Sequence, residues 1–144
     1  SKIRNSINEG DLETTKKYLG RNFKLTGKII KGDGLGKKIN YPTANIFIKE
    51  KYKIIPKDGV YFIRTLIKNK SFNGMMNIGH RPTIGSNDKS IEVHLFNFNQ
   101  DIYNKEISID IILKIRDEKK FSSIEALKQQ LKKDENYCLK LINK

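Results

Sequence analysis

Val60-Tyr61-Phe62-Ile63-Arg64-Thr65-Leu66-Ile67, then Lys68-Asn69-Lys70, then Ser71-Phe72-Asn73-Gly74-Met75-Met76-Asn77-Ile78 is the stretch on which the fold turns. Two runs rich in β-branched and aromatic residues flank a short polar tripeptide, the pattern of two antiparallel strands joined by a tight connection. The same texture extends in both directions. Phe23–Ile30 and Ala44–Ile48 precede the hairpin, and Ile91–Phe98 and Ile107–Ile115 follow it, so six short strands are predicted between polar turns. Strands of this length and spacing predict a small barrel or sandwich rather than a parallel sheet. In the last of them Ile111, Leu113 and Ile115 share one face, with Asp110 and Lys114 on the other.

Helices are expected only at the two ends. Ile3 to Glu9 reads as one helix stopped by Gly10, and Asp11 caps a second through about Tyr18, stopped by Gly20. Ile3, Ile7, Leu12 and Leu19 are the apolar contacts of this hairpin. At the other end Ser122-Ser123-Ile124-Glu125 has the form of a capping box. Ile124, Leu127, Leu131, Cys138 and Leu141 follow at near-helical spacing and predict a helix that lays one apolar stripe on the strands. Pro56-Lys57-Asp58-Gly59 reads as a turn into the third strand.

A chain of 144 residues is enough for one domain with a sizeable core. Hydrophobic residues make up 37 %, and no apolar run reaches the length of a membrane span. Ser1-Lys2-Ile3-Arg4 lacks the apolar core of a signal peptide. The single cysteine, Cys138, rules out an internal disulfide and fits a reducing compartment, with the cytoplasm expected. A net charge of +13 raises the alternative of a small basic β-barrel that binds RNA or single-stranded DNA without catalysis. Lysine far outnumbers arginine, however, and Tyr and Phe fall mostly inside apolar strand runs. Both facts favour a solvated lysine-rich surface over a stacking groove, and a basic surface also attracts an anionic nucleotide.

The chemistry concentrates in Gly32-Asp33-Gly34-Leu35-Gly36-Lys37-Lys38-Ile39-Asn40-Tyr41-Pro42-Thr43-Ala44-Asn45. Gly32, Gly34 and Gly36 allow backbone N–H groups to turn toward an anion, and Lys37 and Lys38 add positive charge. Thr43 and Asn45 stand two apart, so on an extended chain their hard oxygens share a face and suit Mg²⁺ held together with a nucleotide phosphate. The spacing is that of neither a Walker A loop nor a dinucleotide fingerprint. Downstream, alternation in Ile91-Glu92-Val93-His94-Leu95 puts Glu92 and His94 opposite the three apolar residues. A carboxylate at a pocket mouth there could accept a proton from an attacking alcohol. Each motif alone has a plainer reading: a strand start at Thr43, a capped turn at Asn45, a solvent-facing Glu92, a solvated charged loop after Ile115.

Five blocks in order carry a resemblance. They are the glycine-rich loop with Pro42-Thr43-Ala44-Asn45, Pro56–Tyr61, Asn77-Ile78-Gly79-His80-Arg81-Pro82-Thr83, Glu92-Val93-His94-Leu95 and Arg116-Asp117-Glu118-Lys119-Lys120-Phe121. The chain resembles the bacterial riboflavin kinases, usually the C-terminal module of bifunctional riboflavin kinase/FMN adenylyltransferases. The resemblance implies a six-stranded antiparallel Greek-key β-barrel with a C-terminal helix. It implies Mg²⁺-dependent transfer of the ATP γ-phosphate to the ribityl 5′-hydroxyl of riboflavin, giving FMN. Glu92 would be the catalytic base, and Thr43 and Asn45 would contact metal and phosphate. Residues 116–121 would form a flap over the flavin, with Arg116, Phe121 and Tyr41 near its ring. Asn77–Thr83 would lie near the adenine. Residues 1–20 would be a helical linker after an N-terminal FMN adenylyltransferase domain, a partner in the longer chain, with the kinase domain over 21–144. Two positions depart from the family pattern: Asn40 stands where Gly is common, and Asn97 where Asp is frequent.

Overall fold

The computed structural model describes residues 1–31, 43–49, 54–80 and 89–143. The polypeptide opens with α1 (Lys2–Glu9) and α2 (Leu12–Leu19). The strands are β1 (Phe23–Lys31), β2 (Ala44–Phe47), β3 (Gly59–Ile67), β4 (Lys70–His80), β5 (Lys89–Leu95) and β6 (Glu106–Arg116). A last helix, α3 (Ile124–Ile142), closes the chain. The strands form one closed antiparallel barrel in the order β1-β2-β5-β4-β3-β6, with β6 returning to β1. Three consecutive strands, β3 to β5, run as a meander, and the chain passes from β2 to β3 across them, which is Greek-key connectivity.

Alternation sets the two faces of the wall. Leu25, Ile29, Tyr61, Ile63, Met76, Ile78, Ile91, Val93, Ile109 and Ile111 fill the barrel. A second cluster sits on the outer face, where Val60, Phe62, Met75, Phe96 and Cys138 meet Leu127, Leu131 and Leu141 of α3. The helix therefore buries Leu127, Leu131, Cys138 and Leu141 against β3, β4 and β6, as its periodicity predicts, whereas Ile124, expected on the same stripe, is exposed in the first turn. At the opposite end α1 and α2 pair through a buried Ser6–Thr15 hydroxyl contact of 2.7 Å, and Leu12 joins the barrel core.

Four local expectations change. The hairpin connection is two residues long, because Ile67 pairs with Lys70 and leaves Lys68 (φ 51°) and Asn69 (φ 66°) in the turn. Both central residues have positive φ, the hairpin geometry whose twist matches the strands. Ile111, Leu113 and Ile115 do not share a face. Ile63 pairs with Ile111 while its neighbour Phe62 pairs with Leu113, so β6 carries an extra residue there and Leu113 turns to the outer cluster. At α3 the cap is Ser123, whose Oγ accepts from Ala126 N at 3.1 Å, so Glu125 is not at the capping-box position. Asn97, expected to continue a strand face, lies beyond β5 with φ 55°, a conformation that Asn and Asp both tolerate.

Candidate active site

Glu92 is carried on the outer face of β5, because Ile91 and Val93 on either side of it are buried inside the barrel. Its carboxylate belongs to a half-buried residue at the wall rather than to a solvated edge. Both neighbouring strands bring an amide to it. Asn45 of β2 pairs with Glu92 on one side, and Asn77 of β4 pairs with it on the other. Residues directly opposite in an antiparallel ladder present their side chains on the same face, with Cβ atoms about 5 Å apart. Asn77 in turn pairs with Val60, and Val60 with Arg116. One row across five strands thus reads Asn45, Glu92, Asn77, Val60, Arg116.

The two ends of the row differ in chemistry. At the β2 end, Asn45 Oδ1 is buried with no hydrogen-bond partner among the described residues. An orphaned buried acceptor is costly unless something satisfies it, and a hard cation or its water would do so. Thr43, one residue before β2, lines an adjoining cavity of about 290 Å³. Val93, Leu95, Phe98, Ile102 and Tyr103 supply its apolar lining, with Asn99 and Gln100 at its polar edge. No cluster of three or more His, Cys, Asp or Glu side chains among the described residues could hold a metal. Thr43 and Asn45 offer hard oxygens of the kind Mg²⁺ takes, an ion that keeps few protein ligands and completes its shell with phosphate and water.

At the β6 end the guanidinium of Arg116 grips Asp134 of α3 in a fork. Nε donates to Oδ1 at 3.0 Å and to Oδ2 at 3.1 Å, and Nη2 donates to Oδ2 at 2.9 Å. Asp134 is only 2 % exposed, and Gln130 Nε2 donates to its Oδ1 at 3.0 Å. The arginine also lies 5.8 Å from the centre of the Phe121 ring. A fixed cation beside an aromatic face makes a flat platform.

Residues 117–121 cross from β6 to α3 over this same side. Arg116 Nη1 donates to Asp117 O at 3.0 Å. The Asp117 carboxylate pairs with Lys114 and, at 3.9 Å, with Lys57, and these lysines hold it below the usual carboxylate range, Lys114 most strongly. Glu118 lies directly over Gly79 of β4. A Cβ on Gly79 would come within 2.8 Å of Glu118 Cδ, so a larger residue there would push the Glu118 carboxylate aside. At the same end of the barrel Asp58 binds His80 Nδ1 and Lys89 Nζ (3.3 Å), and Lys89 also donates to Pro56 O at 2.8 Å.

Among the described residues Asn45 and Glu92 are neighbours on the outer face of β2 and β5, Arg116 and Phe121 stand together at the β6 end of the row, and Thr43 lines the cavity. Gly32, Gly34, Gly36, Lys37, Lys38 and Tyr41, with the departure at Asn40, lie outside the described residues. So do Arg81, Pro82 and Thr83 of the block expected near the adenine; Asn77 to His80 are strand, not loop. His94 faces outward with Glu92 and packs edge-on to Phe96 at 5.7 Å. Sequence reasoning gave Asn77 only as part of the block near the adenine and missed Asp134 altogether. Asn77 is adjacent to Glu92 only through strand register, for which a single sequence carries no signal. Asp134 did leave one: it sits between Leu131 and Cys138 on the apolar stripe of α3, where a carboxylate must have a partner.

Comparison with known proteins identifies the family and the fold. Residues 19–142 match the family described as Flavokinase: riboflavin kinase. The bifunctional riboflavin kinase/FMN adenylyltransferase of Bacillus subtilis is 37 % identical over 143 residues, covering 97 % of this chain and 45 % of that protein. The chain thus spans less than half the length of that relative. A Streptococcus pneumoniae crystal structure described as a macrolide-efflux protein superposes with a TM-score of 0.87 at 34 % identity, over 93 % of this chain and 44 % of that one. The riboflavin kinase of Trypanosoma brucei superposes with a TM-score of 0.57 at 23 % identity, over 84 % and 80 %, and shows the shared fold. No helix among the described residues is long and apolar enough to cross a membrane. The nucleic-acid alternative is not favoured: among the described residues the exposed aromatics Tyr18, Phe47, Tyr103 and Tyr137 are scattered over three elements and a turn instead of lining a groove. From the match over residues 19–142 and the barrel that carries it, the chain belongs to the riboflavin kinase family.

Proposed function

We propose that this chain transfers the γ-phosphate of ATP to the 5′-hydroxyl of riboflavin, giving FMN and ADP. The observation that carries the reading is the Asn45–Glu92 pair: a buried, unpartnered amide oxygen stands one strand away from a carboxylate. Phosphoryl transfer needs a place for charge and a group to receive the acceptor's proton, side by side. Mg²⁺ bound through Thr43 and Asn45 would neutralise charge on the β- and γ-phosphates. Glu92 receives the proton of the 5′-hydroxyl as the new O–P bond forms and the bond from Pγ to the β,γ-bridging oxygen breaks. The cavity beside Thr43 takes the adenine, since its apolar walls suit a flat ring and Asn99 and Gln100 suit its edge. Arg116 and Phe121 take the isoalloxazine ring, and the flap over Gly79 excludes water from the phosphate. Gly32, Gly34, Gly36, Lys37 and Lys38 cradle the phosphates, and Tyr41 packs on the flavin.

We further infer that residues 1–20 are a helical linker and 21–144 the kinase domain, a division supported by the start of the family match at residue 19. The name of the Bacillus subtilis relative supports an N-terminal FMN adenylyltransferase domain as the partner of this module in a longer protein. A cytoplasmic location is consistent with the single, buried, unpaired cysteine.

The test is incubation of the chain with riboflavin, ATP and Mg²⁺ and chromatographic separation of the flavins. FMN dependent on both ATP and metal, without FAD, is the expected result. No FMN under any metal or nucleotide condition overturns the proposal.

A further inference from the structure

We propose that Asn77 is a specificity-determining residue that reads the ribityl chain of the acceptor, holding the hydroxyl next to the one that reacts. The inference rests on the reading of Glu92 as the base. It comes from the order of side chains along the cross-strand row. Asn45, with its unpartnered oxygen, lies on the β2 side of Glu92, so the phosphate donor approaches from there. The acceptor then extends the other way, toward β4, because an in-line transfer sets the attacking and leaving oxygens on opposite sides of the phosphorus. The first side chain met in that direction is the amide of Asn77. Beyond it come Val60, buried beneath α3, and Arg116 with Phe121. Strands are spaced about 4.8 Å apart, so the row from Glu92 to Arg116 is on the order of 14 Å long.

The local chemistry fits a polyol. Asn77 is half-buried on the outer face of β4, between the buried Met76 and Ile78 that anchor the strand. Its side chain offers both donors and an acceptor, which a sugar-like hydroxyl uses together. Two residues along the same face is Gly79, roofed by the Glu118 carboxylate. The acceptor chain therefore runs in a slot with Asn77 in its floor and a second acceptor above.

The experiment is a kinetic cycle. Wild type and Asn77→Ala are assayed with riboflavin and with an analogue whose ribityl 4′-hydroxyl is replaced by hydrogen. Loss of one hydrogen bond should lower kcat/KM for riboflavin about tenfold in Asn77→Ala. The same substitution should change kcat/KM for the analogue less than about twofold, since the group it would bind is absent. Equal losses with both substrates would overturn the inference. Asn77→Ser is run through the same cycle, so a poorly folded alanine variant leaves the question answerable; its loss must show the same dependence on the 4′-hydroxyl. Glu92→Gln is measured in parallel. Normal turnover in that variant removes the reading beneath the inference, whereas an impaired Glu92→Gln with an unselective Asn77 loss sinks the Asn77 role alone.

Discussion

Glu92 owes its place to two independent facts, the alternation of β5 that turns it away from Ile91 and Val93 and the register that sets it between two asparagines. Removing its charge while keeping its shape isolates the proton-accepting role. Glu92→Gln should lower kcat by about 10²–10⁴-fold, with riboflavin still quenched on binding. Asn45→Ala should act differently, raising the Mg²⁺ and ATP concentrations needed for half-maximal rate; unchanged metal dependence would remove Asn45 from the metal site. Arg116 carries a structural load as well, since without it the Asp134 carboxylate is buried and uncompensated. Arg116→Ala should cost about 3–5 kcal/mol of stability in urea unfolding, in addition to any loss of flavin affinity. Cys138 needs no partner: burial, and then the nearby Asp134 and Glu135 charges, push its thiol up to about 12. It should stay unreactive toward thiol reagents near neutral pH until the protein unfolds. At this scale the sequence exposed Glu92, because alternation is a local property. It hid Asn77, whose meaning depends on a partner strand 15 positions away.

At the scale of elements, periodicity located every strand and helix to within a few residues, and the errors fell where backbone geometry departs from a regular repeat. The extra residue in β6 between Ile111 and Leu113 leaves no mark in a run of alternating Ile, Leu and charge, so the faces beyond it were misread. The turn between β3 and β4 was legible as a turn but not in its length, since lysine at positive φ is a poor choice there. That suggests an improvement. Replacing Lys68-Asn69 with Asn-Gly should stabilise the hairpin by about 0.5–1 kcal/mol, read as a raised midpoint in urea. The cap of α2 gives a pH-dependent case. Asp11 accepts from Thr14 Oγ1 and Thr14 N, and these bonds hold its carboxyl below the usual Asp range. A lowered folded pKa stabilises above the unfolded value and is lost as pH falls through the folded one. Asp11→Ala should therefore cost about 1 kcal/mol near neutral pH and progressively less in acid.

For the molecule as a whole, six strands, two short N-terminal helices and a C-terminal helix could be read off before any coordinates, because each depends on a local pattern. The strand order could not, since β2 beside β5 is a pairing between segments more than forty residues apart. Closure of the barrel follows from that order, with β6 returning along β1 from Phe23 to Lys28. Among the described residues each strand is hydrogen-bonded to two neighbours, so the sheet has no free edge strand. A sheet of this kind needs nothing from a neighbouring domain to complete it. It is a portable part: spliced behind another catalytic domain or set free, it keeps the same wall, the same row of side chains and the same low tendency to recruit stray strands.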